Sequence, residues 1–224
     1  MLAHEIKNPL SAIRGAAQLI GDSDPAASEL TALIRKEVDR IAALIDRMES
    51  FTDGRSLARA PLNIHSVLDH VCEIAGKGFG DGVAIARHYD PSLPEIVGNH
   101  DALVQVFLNL LKNAVEAIEN SSNGTVSINT AYRHGVSVRG REGEGRLALP
   151  IEVSVRDNGP GAPDELAGHI FEPFVTTKRS GTGLGLALAD KIVADHDAII
   201  EYHRDREASE SVFRVLLPRA GGTP

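Results

Sequence analysis

Over the first fifty residues, apolar side chains return every three or four positions, in two runs separated by one short break. The first run carries Leu2, Ile6, Leu10, Ile13, Ala17 and Ile20; the second carries Leu30, Ile34, Val38, Ile41, Leu44, Ile45 and Met48. That spacing is helical and close to a heptad, so each run predicts a helix with one apolar stripe in need of a partner. The first helix is expected to stop near Ile20, at Gly21, Asp22, Ser23, Asp24 and Pro25, and the second to run from about Ser28 to Phe51. Pro9 falls inside the first and is expected to bend it, because a mid-helix proline removes a backbone hydrogen bond and crowds the preceding turn. One hairpin cannot cover two stripes of this length. A homodimer that pairs two hairpins into a four-helix bundle would cover them, and packing against the rest of the chain is the alternative.

His4 lies off this stripe, beside Glu5. With an unperturbed pKa of about 6.5, an imidazole is largely neutral near neutral pH and can act as a nucleophile, while a neighbouring carboxylate orients the ring or takes its proton. Taken alone, an ordinary surface histidine is the simpler reading of this pair, so the remainder of the chain must decide.

The 224 residues, 42% of them hydrophobic, suffice for one large or two small domains with a real core. A formal net charge of −8 with no polybasic run argues against nucleic acid or an anionic membrane surface as the main partner. The single cysteine, Cys72, excludes an internal disulfide framework, fits a reducing compartment and reads as a small buried apolar residue. No run approaches 18 uninterrupted apolar residues and no basic segment with an apolar core precedes a cleavage site, so a soluble, cytoplasmic chain is expected.

Thr52 to Ala60 reads as a linker, which divides the chain into 1–57 and 58–224. Beyond it, helices are expected over Ile64 to Ala75, Asp101 to Glu119 and Leu184 to Asp195. Extended segments are expected over Val83 to Tyr89, Thr125 to Ala131, Ile151 to Arg156, Ile199 to His203 and Val212 to Leu217. Pro91 to Pro94 and Ser121 to Gly124 read as turns, and Arg133 to Leu147, rich in Gly, Arg and Glu, as a mobile loop. The fold class expected is α+β: a helical hairpin followed by an α/β sandwich, one mixed sheet covered on one face by helices.

Four constellations fall between Asn109 and Gly185. Asn109 and Asn113 are four apart on one helical face, where two amide oxygens help to complete the oxygen shell of a phosphate-bound Mg²⁺; solvated amides are the plain alternative. Asp157, Asn158, Gly159, Pro160 and Gly161 follow a strand. A carboxylate there can accept from an exocyclic amine while the glycines admit a flat base, although Asn-Gly also makes a simple turn. Phe171 and Phe174 have the spacing to anchor a lid, and the hydroxyl of Thr177 and the cations of Lys178 and Arg179 follow within reach of phosphates. Gly181, Thr182, Gly183, Leu184 and Gly185 open a helix, where bare backbone N–H groups at a positively polarised end form a phosphate cradle.

Taken in order, the His-Glu-x-x-Asn-Pro helix and the Asn-x-x-x-Asn, Asp-x-Gly-x-Gly, Phe-x-x-Phe and Gly-x-Gly-x-Gly segments resemble the boxes of the sensor histidine kinases over essentially the whole chain. The wording of His4 to Leu10, Phe171 to Lys178 and Gly181 to Leu186 is most similar to the nitrogen-regulation kinases of that family. The resemblance implies a dimeric helical hairpin joined to a sandwich of the histidine-kinase, gyrase and chaperone ATPase type. It implies that His4 accepts the γ-phosphoryl of ATP with Glu5 as its base or orienting partner, and that Asn8 serves dephosphorylation of a partner. Asn109 and Asn113 would bind Mg²⁺ with Lys112 between them, and Asp157 with Gly159 and Gly161 would hold adenine. Phe171, Phe174, Thr177, Lys178 or Arg179 and the Gly181 to Gly185 loop would close over the phosphates. A response regulator of the NtrC-like class is the implied phosphoryl acceptor, and a PII-type signalling protein a further partner.

Two other readings stay open: an ATP-hydrolysing member of the same fold, and a catalytically silent dimerisation or docking module. The hydrolysing relatives place a glutamate where this chain has Asn109, which cannot serve as a base. Two departures from the family pattern stand out. The sequence starts three residues before His4, where the family's helix begins earlier and follows a sensor domain, so it reads as a piece of a longer protein whose bundle frays at His4. Asp197 and Ala198 stand where the family carries two glycines; if that turn needs positive φ, Ala there costs on the order of 1 kcal/mol.

Overall fold

A computed structural model of the chain describes residues 2–23, 27–52, 58–80, 82–119, 121, 123–139, 146–178 and 181–221. It divides into two compact units, residues 1–55 and 56–224. Most of the expected linker, part of the first turn, the centre of the expected mobile loop and Arg179 lie outside the described residues.

The first unit is a hairpin of α1 (Leu2–Ser23) and α2 (Ser28–Thr52). The helix α1 runs on through Pro9 without interruption, so the proline does not end it. Leu10, Ala17, Thr31 and Val38 are buried between the two helices, and Gly21 lets them close together, since a Cβ there would meet Thr31 Oγ1 at 2.5 Å. Among the described side chains of the stripe, Ile13 at 48%, Ile20 at 53%, Leu30 at 66% and Ile34 at 43% are exposed in the single hairpin, as is the neighbouring Leu33 at 62%.

The second unit begins with β1 (Ala60–Leu62), α3 (Ile64–Gly76), β2 (Ile85–His88), β3 (Ile96–Gly98) and α4 (His100–Ile118). It continues through β4 (Val126–Tyr132), β5 (Ser137–Arg139), β6 (Arg146–Ala148), β7 (Ile151–Asp157), α5 (Gly185–Asp195), β8 (Ile199–Asp205) and β9 (Glu210–Leu217). The main sheet has the order β2-β4-β7-β9-β8, with β2 parallel to β4 and the other pairs antiparallel. Strand alternation sends Val126, Ile128, Ile151, Val153, Val155, Phe213, Val215 and Leu217 to one face, where α3, α4 and α5 cover them in a single core. The mixed sheet with helices on one face is the architecture expected. The segment expected as a mobile loop differs: β5 and β6 pair across it in register Ser137 with Ala148 and Arg139 with Arg146, a ribbon extending the β4–β7 hairpin. Three-residue strands around a polar centre carry too little alternation to be read as strands.

Asparagines fix the starts of α3 and α4. Asn63 accepts from the His65 N–H at 2.9 Å, and Asn99 accepts from the Ala102 N–H at 3.0 Å while its amide donates to Ala58 O at 2.9 Å. After α5, Asp197 takes φ 55° and Ala198 does not have positive φ, so the turn's strain falls on the residue type that tolerates it. Arg59 Nη1 holds Asp197 Oδ2 at 2.6 Å, and the buried Ala198 side chain joins the core. The expected penalty at Ala198 is therefore not incurred.

His196, fully buried, donates from Nδ1 to Ile192 O at 2.7 Å and accepts the Asn99 N–H on Nε2 at 2.9 Å. These two bonds require the neutral ring. Burial accordingly lowers its pKa, and the half-buried His65, bonded to Thr130 Oγ1 at 3.0 Å, is lowered for the same reason. A histidine neutral in the fold and titrating normally when unfolded stabilises fully above pH about 6.5, and that stability is lost as pH falls from there toward the folded value. Urea midpoints measured between pH 7.5 and 5 should fall steadily, and His196→Gln should flatten the fall while lowering the midpoint at neutral pH.

Candidate functional site

The helix α4 buries Leu103, Phe107, Leu110, Leu111, Ala114 and Ile118 on one side, which leaves Asn109, Lys112, Asn113 and Glu116 as a polar stripe on the other. Asn109 Nδ2 donates to Gly185 O at 3.3 Å, linking this stripe to the first residue of α5. The start of α5 has no side-chain cap, and Leu184 at its N-cap is buried. The backbone N–H groups at that end are thus left for an anion, next to a helix face of amides and cations.

Asp157 ends β7, with its carboxylate 3% exposed. Its Oδ1 accepts the Gly159 N–H at 3.0 Å and its side chain also bonds Ser211. Burial pushes its pKa up, against those two bonds and the Arg204 guanidinium, which favour the charge. A Cβ on Gly159 would meet Ala117 O at 2.8 Å and Asp157 Oδ1 at 2.9 Å, so only glycine fits between this carboxylate and α4. Gly161 has φ 78°, and a Cβ there would meet Tyr202 Oη at 3.1 Å. Tyr202 Oη in turn accepts the Ala162 N–H at 2.9 Å. Asn158 braces the same turn from the other side, accepting the Thr125 N–H at 2.7 Å and donating to Asn123 O at 2.7 Å. Ser211, Tyr202 and Arg204 escaped sequence reading because they lie 45 or more positions from Asp157, and only the β7–β9–β8 pairing brings them to it.

The two phenylalanines part company. Phe171 packs edge-on against Phe213, ring centroids 6.4 Å apart, and anchors the segment to the core. Phe174 is 63% exposed, so the two rings do not share an anchoring role. Phe174 sits at φ 69°, its N–H donating to Gly183 O at 3.0 Å, and the Gly183 backbone, at φ 66°, crosses so close that a Cβ would meet Phe174 Cα at 2.6 Å. A bulky residue in the left-handed region beside a glycine that cannot be replaced marks a strained crossing in front of α5. Thr176 Oγ1 accepts the Lys178 N–H at 3.1 Å, and Thr182 Oγ1 accepts the Leu184 N–H at 3.4 Å, so both turns of this segment are closed by hydroxyls. Thr177 is exposed, Gly181 is partly buried, and Lys178 reaches back to Asn113 and Glu116.

The structure thus assembles Asn109, Lys112, Asn113, Lys178, Gly181, Thr182, Gly183, Leu184 and Gly185 around the start of α5. Asp157, Gly159 and Gly161 gather at the end of β7. In the first unit His4, Glu5 and Asn8 lie along α1; Asn8 is exposed, and for His4 and Glu5 the helical backbone alone is described. Among the described residues no group of three or more His, Cys, Asp and Glu side chains could hold a metal by itself. The oxygens of Asn109 and Asn113 are hard, neutral ligands, and they suit a Mg²⁺ that takes its remaining oxygens from phosphates and water. Cys72 is half-buried, and burial pushes its thiol up, away from reactivity.

A model of the "Histidine kinase-, DNA gyrase B-, and HSP90-like ATPase" family matches residues 98–221, and the "His Kinase A (phospho-acceptor) domain" matches residues 1–56. The chain is 53% identical over 226 residues to the sensory histidine kinase/phosphatase NtrB of Rhizobium meliloti, covering 99% of this chain and 58% of that protein. It is 51% identical over 219 residues to NtrB of Azospirillum brasilense, covering 97% and 54%. The chain thus spans somewhat more than half the length of these relatives. Among solved structures it is similar to full-length ShkA in complex with AMPPNP, at 25% identity and TM-score 0.71 over 98% of this chain and 46% of that one. It is also similar to the catalytic domain of the histidine kinase ThkA, at 25% identity and TM-score 0.57 over 73% and 99%. No described helix is long and apolar enough to cross a membrane.

Proposed function

Because this chain belongs to the histidine kinases, with a phospho-acceptor hairpin ahead of an ATPase-fold domain, we propose that it phosphorylates its own His4 from Mg-ATP and passes the group to a response regulator. The observation that carries this reading is the convergence of the α4 amides, the uncapped start of α5 and the buried carboxylate of Asp157 within one domain. The division of labour follows the two units, with 1–57 as dimerisation and phosphoacceptor segment and 58–224 as catalytic domain. A ring nitrogen of His4 attacks the γ-phosphorus, the bond to the bridging oxygen breaks, ADP leaves, and Glu5 takes the ring proton or orients the ring. Mg²⁺, held through Asn109 and Asn113, would neutralise phosphate charge. The α5 amides and Lys178 or Arg179 grip the phosphates, and Asp157 accepts from the adenine amine. Phosphoryl transfer asks for little beyond such alignment, with the acceptor His4 in the same or in the partner subunit.

Likeness to NtrB supports a place in nitrogen regulation, with an NtrC-like regulator as acceptor, a PII-type protein as a further partner and Asn8 in a phosphatase activity toward that regulator. The exposed apolar stripe of the hairpin supports a homodimer, in which a second copy covers Ile20, Leu30 and Leu33. We place the reaction in the cytoplasm, in keeping with the single, unreactive cysteine.

Incubation with ATP labelled on the γ-phosphate tests the reading. Acid-labile, alkali-stable label on the protein is expected; free phosphate without label would favour the ATP-hydrolysing alternative instead. Asp157→Asn should weaken adenine nucleotides by about ten- to a hundredfold in calorimetry, the scale of a hydrogen bond to a charged group. The wild-type affinity should also fall as pH drops through the raised pKa of Asp157, since a protonated carboxyl is a neutral, weaker acceptor and presents an O–H donor to the amine, and Asp157→Asn should lose that part of the pH dependence.

A further inference from the structure

Lys178 has its ammonium already engaged. It donates to Asn113 Oδ1 at 2.9 Å and forms an ion pair with Glu116, which lies one helical turn further along the same stripe of α4. The other Glu116 oxygen is 3.8 Å from Lys112 Nζ, so one carboxylate stands between two ammonium groups. The Lys178 backbone is held at both sides, its N–H by Thr176 Oγ1 and its carbonyl by the Gly181 N–H, both at 3.1 Å. The four-carbon stem can therefore swing while the loop stays in place.

We propose that Glu116 is a positioning residue. Its carboxylate parks the Lys178 ammonium over Asn113 and yields it to the nucleotide phosphates, so that release of the lysine and exposure of the Asn113 amide oxygen to metal are a single event. The inference rests on the reading of this site as one for Mg-ATP. The exchange is favourable because a polyphosphate offers several negative charges against the one charge of a carboxylate a third exposed to water. Asn113 Oδ1 is then shielded by an ammonium until metal and phosphate arrive together, and Glu116 tunes affinity without touching the nucleotide. Sequence reading passed over Glu116, although its place three residues after Asn113 on one helical face was legible.

The test is calorimetry on the full chain with Mg-ADP and Mg-ATP, comparing wild type, Glu116→Gln, Lys178→Gln and the double variant. Removing the competitor should tighten nucleotide about three- to fivefold where Lys178 is present, the scale of a partly exposed ion pair, and less than twofold in the Lys178→Gln background. Weaker or unchanged binding by Glu116→Gln, or equal tightening in both backgrounds, would overturn the latch, the latter assigning the effect to bare charge. Hydrogen exchange without nucleotide is the second readout. Amides of Thr176 to Lys178 and Gly181 to Leu184 should exchange at the wild-type rate in both single variants, since the Thr176 hydroxyl and the Gly181 N–H rather than the ion pair hold the loop, and faster exchange would overturn the proposal. A wild-type chain that binds neither nucleotide would overturn the Mg-ATP reading and the latch together, whereas binding with uncoupled variants overturns the latch alone.

Discussion

A chain carrying His4→Gln should incorporate no acid-labile phosphate from γ-labelled ATP, yet bind the nucleotide with the affinity of the wild type. Both halves of this result follow from the division into two units. His4 belongs to α1, while every residue assigned to ATP lies in residues 98–221. Glutamine has no ring nitrogen to attack phosphorus but is a good helix former, so the hairpin persists. Residual label in the variant would move the acceptor to another residue. A loss of ATP binding would mean that the hairpin contributes to the nucleotide site, against the separation of roles proposed here.

The second large effect is expected at Asn113. Asn113→Ala should lower Mg-nucleotide affinity about a hundredfold or more, since a position directly on the metal should cost at least as much as the loss of its supporting partners. The penalty should shrink when Mg²⁺ is removed with a chelator, because what is lost is a metal oxygen rather than a contact to the base. An equal penalty with and without metal would remove Asn113 from the Mg²⁺ shell. The fold should survive the change, as the side chain lies on the polar stripe of α4 and adds nothing to the core around Phe107 and Leu111.

Long elements with strong periodicity were legible in the chain. The pattern of Leu103, Phe107, Leu110, Leu111 and Ala114 defines both the buried face of α4 and, by elimination, the stripe that bears Asn109 and Asn113. The short strands β1, β3, β5 and β6 were not legible, since three residues do not establish an alternation and Pro61 argues locally against a strand. Their pairing is decided by tertiary contact. In the same way Asp157, Gly159 and Gly161 announce a tight turn, but the reason each glycine is needed is given by Ala117 and Tyr202, which sequence distance hides. Phe171 and Phe174 show the limit of spacing as a guide. Two rings at i and i+3 suggest a shared role, and the left-handed backbone at Phe174 turns one of them outward.

The turn after α5 ties that helix to the start of its unit. The 11 residues of α5 make a rod about 16 Å long. Its front end is the uncapped start described above, and its rear end is pinned through Asp197 to Arg59 and through His196 to Asn99, which also grips Ala58. Residues 58 and 59 are the first described residues of this unit. The first described residues of this unit and the uncapped start of α5 are thus joined to opposite ends of one stiff helix.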